Sequence, residues 1–77
     1  MNNLGIDVKT KDKAHLIRRL RALKTTDTVE DGGMYHEDRS YSQVWLTTEW
    51  SEKELDDWLY RTKGINYIGT FERLSHW

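Results

Sequence analysis

Cysteine and proline are both missing from this 77-residue chain. Without cysteine there is no disulfide to staple the fold and no thiolate to ligate a metal. A reducing compartment fits that composition, and a secreted, disulfide-built miniprotein does not. No apolar run exceeds three residues, as in Val44-Trp45-Leu46, far below the roughly 20 needed to cross a bilayer as a helix. The opening MNNLGIDVKT has neither the basic cluster nor the apolar stretch of a secretory signal. Together these absences lead to the expectation of a cytoplasmic chain in one small domain, residues 1–77, with no membrane partner.

What the chain does have is aromatic rings and charge. Charged residues make up 32% and hydrophobic ones 36%, close to globular proportions, so disorder is not the default. A chain this short buries only about 60% of its unfolded surface. The four tryptophans, Trp45, Trp50, Trp58 and Trp77, therefore compete for a thin core, and some indole surface is expected to stay exposed. The net charge of −1 conceals a division. Residues 1–24 hold seven Lys or Arg against two Asp, a net of +5, and residues 25–77 hold five against eleven, a net of −6. Such asymmetry is informative where the total is not.

Periodicity orders the chain. In LGIDVK, Leu4, Ile6 and Val8 alternate with Gly5, Asp7 and Lys9, the period of a half-buried strand. TKDKAHLIRRLRALK follows as an amphipathic helix, capped by Thr10 or Asp12. It gathers Leu16, Ile17, Leu20 and Leu23 on one face, with a basic outer face of His15, Arg18 and Arg19. TTDTVEDGG reads as a strand running into a turn at Asp31, Gly32 and Gly33. MYHEDRS is ambiguous between hairpin and loop. SYSQVWLTT is again a strand, with Ser42, Val44 and Leu46 on one side and Tyr41, Gln43 and Trp45 on the other.

The helix after it has a full set of end signals. Ser51 and Glu54 form a capping box, and Trp50 before it can staple against Leu55. Glu52, Glu54, Asp56 and Asp57 suit the positive end of the helix dipole, and Gly64 suits a left-handed cap. Leu55, Trp58, Leu59 and Thr62 form its inner face. INYIGTFERL closes the chain as a strand with Gly69 as a bulge or a place of close backbone approach. Strand, helix, strand, strand, helix, strand, with one apolar face per helix, implies an α+β fold: ferredoxin-like βαββαβ, a four-stranded antiparallel sheet with two helices on one face. A helix-plus-meander arrangement is the alternative topology.

No pattern carries chemistry. Asp56/Asp57 and Glu37/Asp38 are adjacent in sequence and diverge, whereas acid–base pairs need separate environments in a shared cleft. Ser40, Ser42, Ser51 and Ser75 lack a nucleophile elbow, and no glycine pattern makes a phosphate loop. His15, His36 and His76 have no ligand spacing. The reading is of a protein without catalysis, metal or cofactor.

Binding is the remaining role. On the helix-free face of such a sheet, RNA-recognition domains stack bases on aromatics, and RSYSQVWL (residues 39–46) resembles part of their third-strand signature. Arg39 matches its leading basic residue, Tyr41 its first stacking aromatic and Ser42 its small residue. Gln43 stands where the second aromatic is expected, Ser40 where glycine is, and Gly5 where the first strand carries an aromatic. The resemblance implies an RNA- or single-stranded-DNA-binding reading using Lys11, His15, Arg18, Arg19, Arg39, Tyr41 and Trp45. A pI near 6.3 lacks the basic surplus of such proteins.

The leading expectation is a protein-binding module. Tyr41, Trp45, Tyr67 and Phe71 are candidates for the open sheet face, depending on how Gly69 shifts the last strand, with Tyr41 and Trp45 as anchors. Glu30, Asp31, Glu37, Asp38, Glu52, Glu54, Asp56 and Asp57 are placed against a basic partner surface. A short, cysteine-free, Trp-rich chain with acidic patches resembles, in style, small phage or mobile-element inhibitors. Those block host nucleic-acid-processing or defence machinery, some by presenting carboxylates in place of phosphates. Such a protein would work in the host cytoplasm. A homodimer, with the +5 segment of one copy docked on the −6 remainder of another, is a third reading.

Overall fold

The computed structural model describes residues 1–73. Leu74, Ser75, His76 and Trp77, and with them the end of the expected last strand, lie outside the described residues. The elements are β1 (Asn2–Lys9), a 3-10 turn (Thr10–Asp12), α1 (Lys13–Arg21), β2 (Thr26–Met34), β3 (Tyr41–Thr48), α2 (Glu52–Arg61) and β4 (Tyr67–Glu72). The sheet is antiparallel at every pairing, in the order β2-β3-β1-β4. Each helix follows a strand, and this is the ferredoxin-like βαββαβ arrangement.

One core holds it together. Leu4, Ile6 and Val8 of β1 and Val44 and Leu46 of β3 are buried on the same side of the sheet. They meet Leu16 and Leu20 of α1 and Leu55 and Leu59 of α2, with Ile65 closing the approach to β4. Both helices therefore cover the same face, α1 over β2 and β3 and α2 over β4. Burying each of these side chains contributes about 1.5–3 kcal/mol, and among the described residues there are ten of them.

α2 forms as its end signals require. Ser51 Oγ accepts the Glu54 N–H at 3.2 Å while Glu54 Oε1 accepts the Ser51 N–H at 3.0 Å. Gly64 has φ +84, a conformation that costs L-residues about 1–2 kcal/mol. The ring that meets Trp50 is Trp58, with centroids 6.0 Å apart and planes tilted by 49°.

Three local expectations differ from the structure. Asp12 stands at the N-cap of α1, but its side chain makes no capping hydrogen bond there. The chain leaves β1 through the 3-10 turn, and Asp12 Oδ2 is taken by the backbone and side-chain N–H groups of Asn66, at 3.0 and 2.9 Å. Thr10 Oγ1 instead donates to the Arg39 carbonyl at 2.7 Å. Next, Asp31, Gly32 and Gly33 do not turn the chain; they make an irregularity inside β2. Asp31 Oδ1 accepts the Gly33 N–H at 2.8 Å and Gly33 takes φ +89, so the strand bulges and continues to Met34. The reversal falls at residues 35–40, where Asp38 Oδ1 accepts from the N–H and hydroxyl of Ser40.

Finally, Tyr67 faces the helices. It sits opposite Val8, a core residue, because the register shifts beside it and leaves Ile68 as the extra residue of a bulge. Gly69, opposite Asp7, resumes the alternation.

Candidate functional site

The helix-free side of the sheet is a built surface. Pairing puts Phe71, Gly5, Trp45 and Glu30 in one row across β4, β1, β3 and β2, with Gly69, Asp7, Gln43 and Gly33 in the next. Two glycines decide how the rings lie. A Cβ on Gly5 would run into the Phe71 ring, and a Cβ on Gly32 would stand 2.7 Å from Trp45 Cε2 and Nε1. Both rings occupy space that any other residue would fill, so each can lie down on the strand beside it. A chain of hydrogen bonds then fixes Trp45. Its Nε1–H donates to Gln43 Oε1 at 3.0 Å, and Gln43 Nε2–H donates to Tyr35 Oη at 2.8 Å. The Tyr35 hydroxyl donates in turn to Asp7 Oδ1. Burial, and then the hydrogen bond to Asp7, push the Tyr35 hydroxyl above its usual pKa.

Two cations rest on this face. The Arg73 guanidinium lies 4.6 Å from the Trp45 ring centroid, and Lys9 Nζ lies 4.5 Å from that of Tyr41. Aromatic–cation stacks of this kind hold both groups in place at modest cost in side-chain freedom. Lys9 and Arg73 balance Asp7 and Glu30, so the surface is aromatic and nearly neutral.

Of the residues nominated from the sequence, Tyr41 and Trp45 are brought together on this face, with Phe71 beside them. Tyr67 belongs to the helix side, where its hydroxyl donates to Asp56 Oδ1 at 3.2 Å. Its pKa is raised first by burial and then by that bond.

The eight carboxylates do not form one surface. Glu30 and Asp31 lie on β2 and Glu37 and Asp38 in the hairpin after it, at one edge of the sheet. Glu52, Glu54, Asp56 and Asp57 lie on α2, over the other edge. Several are engaged internally. Asp31 binds the Gly33 N–H and Lys13, Asp38 binds Ser40, Glu52 accepts from Thr70, Glu54 caps α2 and Asp57 pairs with Lys53 at 3.5 Å.

The nucleic-acid set is divided too. Arg18 and Arg19 are exposed on α1, Lys11 is exposed in the 3-10 turn and His15 is half-buried, all on the helix layer or its approach. Arg39 is exposed in the β2–β3 hairpin, and Tyr41 and Trp45 look the opposite way from α1. One strand of nucleic acid would have to wrap an edge of the sheet to use both sets.

Tyr35, Gln43, Arg73 and the glycines under the rings were not nominated as site residues. Their only sequence signal is the Gly32-Gly33 pair, read as a turn, and the alternation of β3, which placed Gln43 correctly beside Trp45. Among the described residues, no group of three or more His, Asp or Glu side chains is arranged to hold a metal ion. No helix among them is long and apolar enough to cross a membrane. No family model matches the chain, and no curated protein or solved structure is significantly similar to it.

Proposed function

We propose that this chain is a non-enzymatic protein-binding module whose contact surface is the helix-free sheet face. The observation that carries the reading is the pair of rings laid over glycines, Trp45 over Gly32 and Phe71 over Gly5. Large, rigid side chains held in place before contact lose little freedom on binding, and preorganisation of that kind favours affinity. Trp, Tyr and Arg dominate the energetics of protein interfaces, and Trp45, Tyr41, Tyr35 and Arg73 stand together here. Near-neutral charge, with Asp7 and Glu30 on the face, suits a protein partner better than a phosphate backbone. The carboxylates of α2 belong to a separate surface, so the anchor for a partner is aromatic, with charge at the rim.

The test is a photo-crosslinking amino acid placed at Tyr41, on the open face, and separately at Tyr60, 84% exposed on α2. Both are used in extract of the native source, with and without nuclease. A discrete adduct from position 41 that survives nuclease and is absent from position 60 supports the reading. Adducts that vanish with nuclease would transfer the site to RNA or single-stranded DNA. Adducts from position 60 alone would move the contact to the helix layer.

A further inference from the structure

Among the described residues, two strands have no neighbour on their outer side, β2 at one edge and β4 at the other. Such edges are templates for another strand unless bulges or charges blunt them. Irregularities at Thr26/Thr28 and Asp31/Gly33 leave β2 a regular run over residues 28–31. The bulge at Ile68 leaves β4 one over residues 69–72. The runs are equal in length. The antiparallel pairings also make β2 and β4 point in opposite directions. A copy moved sideways across the sheet would therefore meet β4 with its own β2 antiparallel, its helices on the same side.

The helix layer adds a sign to each edge. α1, packed over β2, has four Lys or Arg and no acid, while the strand beneath it carries Asp27, Glu30 and Asp31. α2, packed over β4, has four carboxylates against Lys53 and Arg61. The Lys13–Asp31 ion pair at 3.0 Å fixes which face of α1 lies along β2, and Arg21, two turns on and about 80° further round the helix, is exposed. On the other edge, Glu52 and Asp56 line the recess between α2 and Thr70 of β4.

We propose that copies of this chain associate head to tail, β4 of one against β2 of the next, with acidic α2 beside the neighbour's basic α1. The two closed alternatives are disfavoured by charge. β4 on β4 sets acidic α2 against itself, β2 on β2 sets basic α1 against itself and the carboxylates of β2 against one another, and like-charge contacts suppress association. A heterologous contact leaves one edge free at each end of a pair, so growth continues past the dimer, to an open chain or a ring of copies. Continuing the row of Phe71, Gly5, Trp45 and Glu30 into the next copy pairs Phe71 with Glu30, Thr70 with Asp31 and Glu72 with Val29, and so short a ladder makes each junction weak. This contact uses the edges and the helix layer, so it stands or falls separately from the sheet-face reading.

Sedimentation of the full chain tests it, from dilute to concentrated, in low and high salt. The expected result is a mean mass that grows past the dimer with concentration and falls with added salt. Replacing exposed Arg21 and Lys24 with Glu (R21E/K24E) should raise the concentration at which association begins by about tenfold or more, with circular dichroism unchanged. Because the chain has no cysteine of its own, D27C on the β2 edge and E72C on the β4 edge can be joined by a short bis-maleimide. Mixing them should yield mainly the D27C–E72C adduct. A monomer at every concentration in low salt, or adducts dominated by E72C–E72C or D27C–D27C, would overturn the proposal.

Discussion

Gly5 has no side chain, and the Phe71 ring fills the space where one would stand. The two positions are therefore one unit. In G5A the new methyl group evicts the ring from its seat, with a cost of about 1–3 kcal/mol typical of overpacking. F71A removes the ring and leaves Gly5 uncovered. The double variant G5A/F71A has nothing left to collide, so its destabilisation is expected to be smaller than the sum of the single losses. Denaturant midpoints of the four proteins measure the coupling, and strict additivity would show that the ring does not depend on the glycine. Gly32 and Trp45 form the second such unit, with the indole additionally tied through Gln43 and Tyr35 to Asp7.

At the scale of elements, α2 depends on its beginning. Ser51→Ala removes the hydroxyl that accepts the Glu54 N–H and is expected to cost about 1 kcal/mol, read as a lower urea midpoint with an unchanged slope. This capping box was legible in advance because it is local. Ser51 and Glu54 are three residues apart, and nothing beyond the first turn takes part. The apolar stripes of α1 and α2 and the alternation of β1 and β3 were legible for the same reason, and they determined the fold class.

The misreadings all involve partners distant in sequence. Asp12 looks like a cap until Asn66, 54 residues away, arrives to bind it. Asp31-Gly32-Gly33 has turn chemistry, but pairing with β3 keeps it in the sheet as a bulge. A single extra residue, Ile68, turns Tyr67 from the open face to the helices, since strand alternation has a period of two. The candidate site was half legible for that reason. Tyr41 and Trp45 follow from β3 alone, whereas Tyr35, Arg73 and the glycine seats emerge only from pairing.

For the molecule as a whole, these long-range polar ties set how stability responds to pH. The Asp12 carboxyl is held below its ordinary value of 3.8 by the Asn66 backbone N–H and then its side chain. Asp31 is lowered by the Gly33 N–H and then Lys13, and Asp38 by the Ser40 hydroxyl and then its N–H. A depressed carboxyl binds fewer protons folded than unfolded, so its contribution is complete above the unfolded pKa and is lost as pH falls through the folded one.

Tyr35 and Tyr67 act in the opposite sense. Both are raised above 10.0, mainly by burial, so their contribution is complete below pH 10.0 and is lost as pH rises through the folded values. The expected profile is a plateau bounded by an acid decline below pH 3.8 and an alkaline one above pH 10.0. D12A should flatten the first and Y35F the second, each measured as the denaturant midpoint across pH. Unchanged limbs in both variants would show that other groups control the boundaries.

The tilted contact between Trp50 and Trp58 has an optical consequence. Two indole chromophores 6.0 Å apart at 49° couple their transitions, which gives far-ultraviolet circular dichroism a split band of its own. The band belongs to the helix layer, while Trp45 lies on the opposite side of the sheet and takes no part in it. With W58F as the blank, loss of the helical layer can be followed by that band alone in an unlabelled sample.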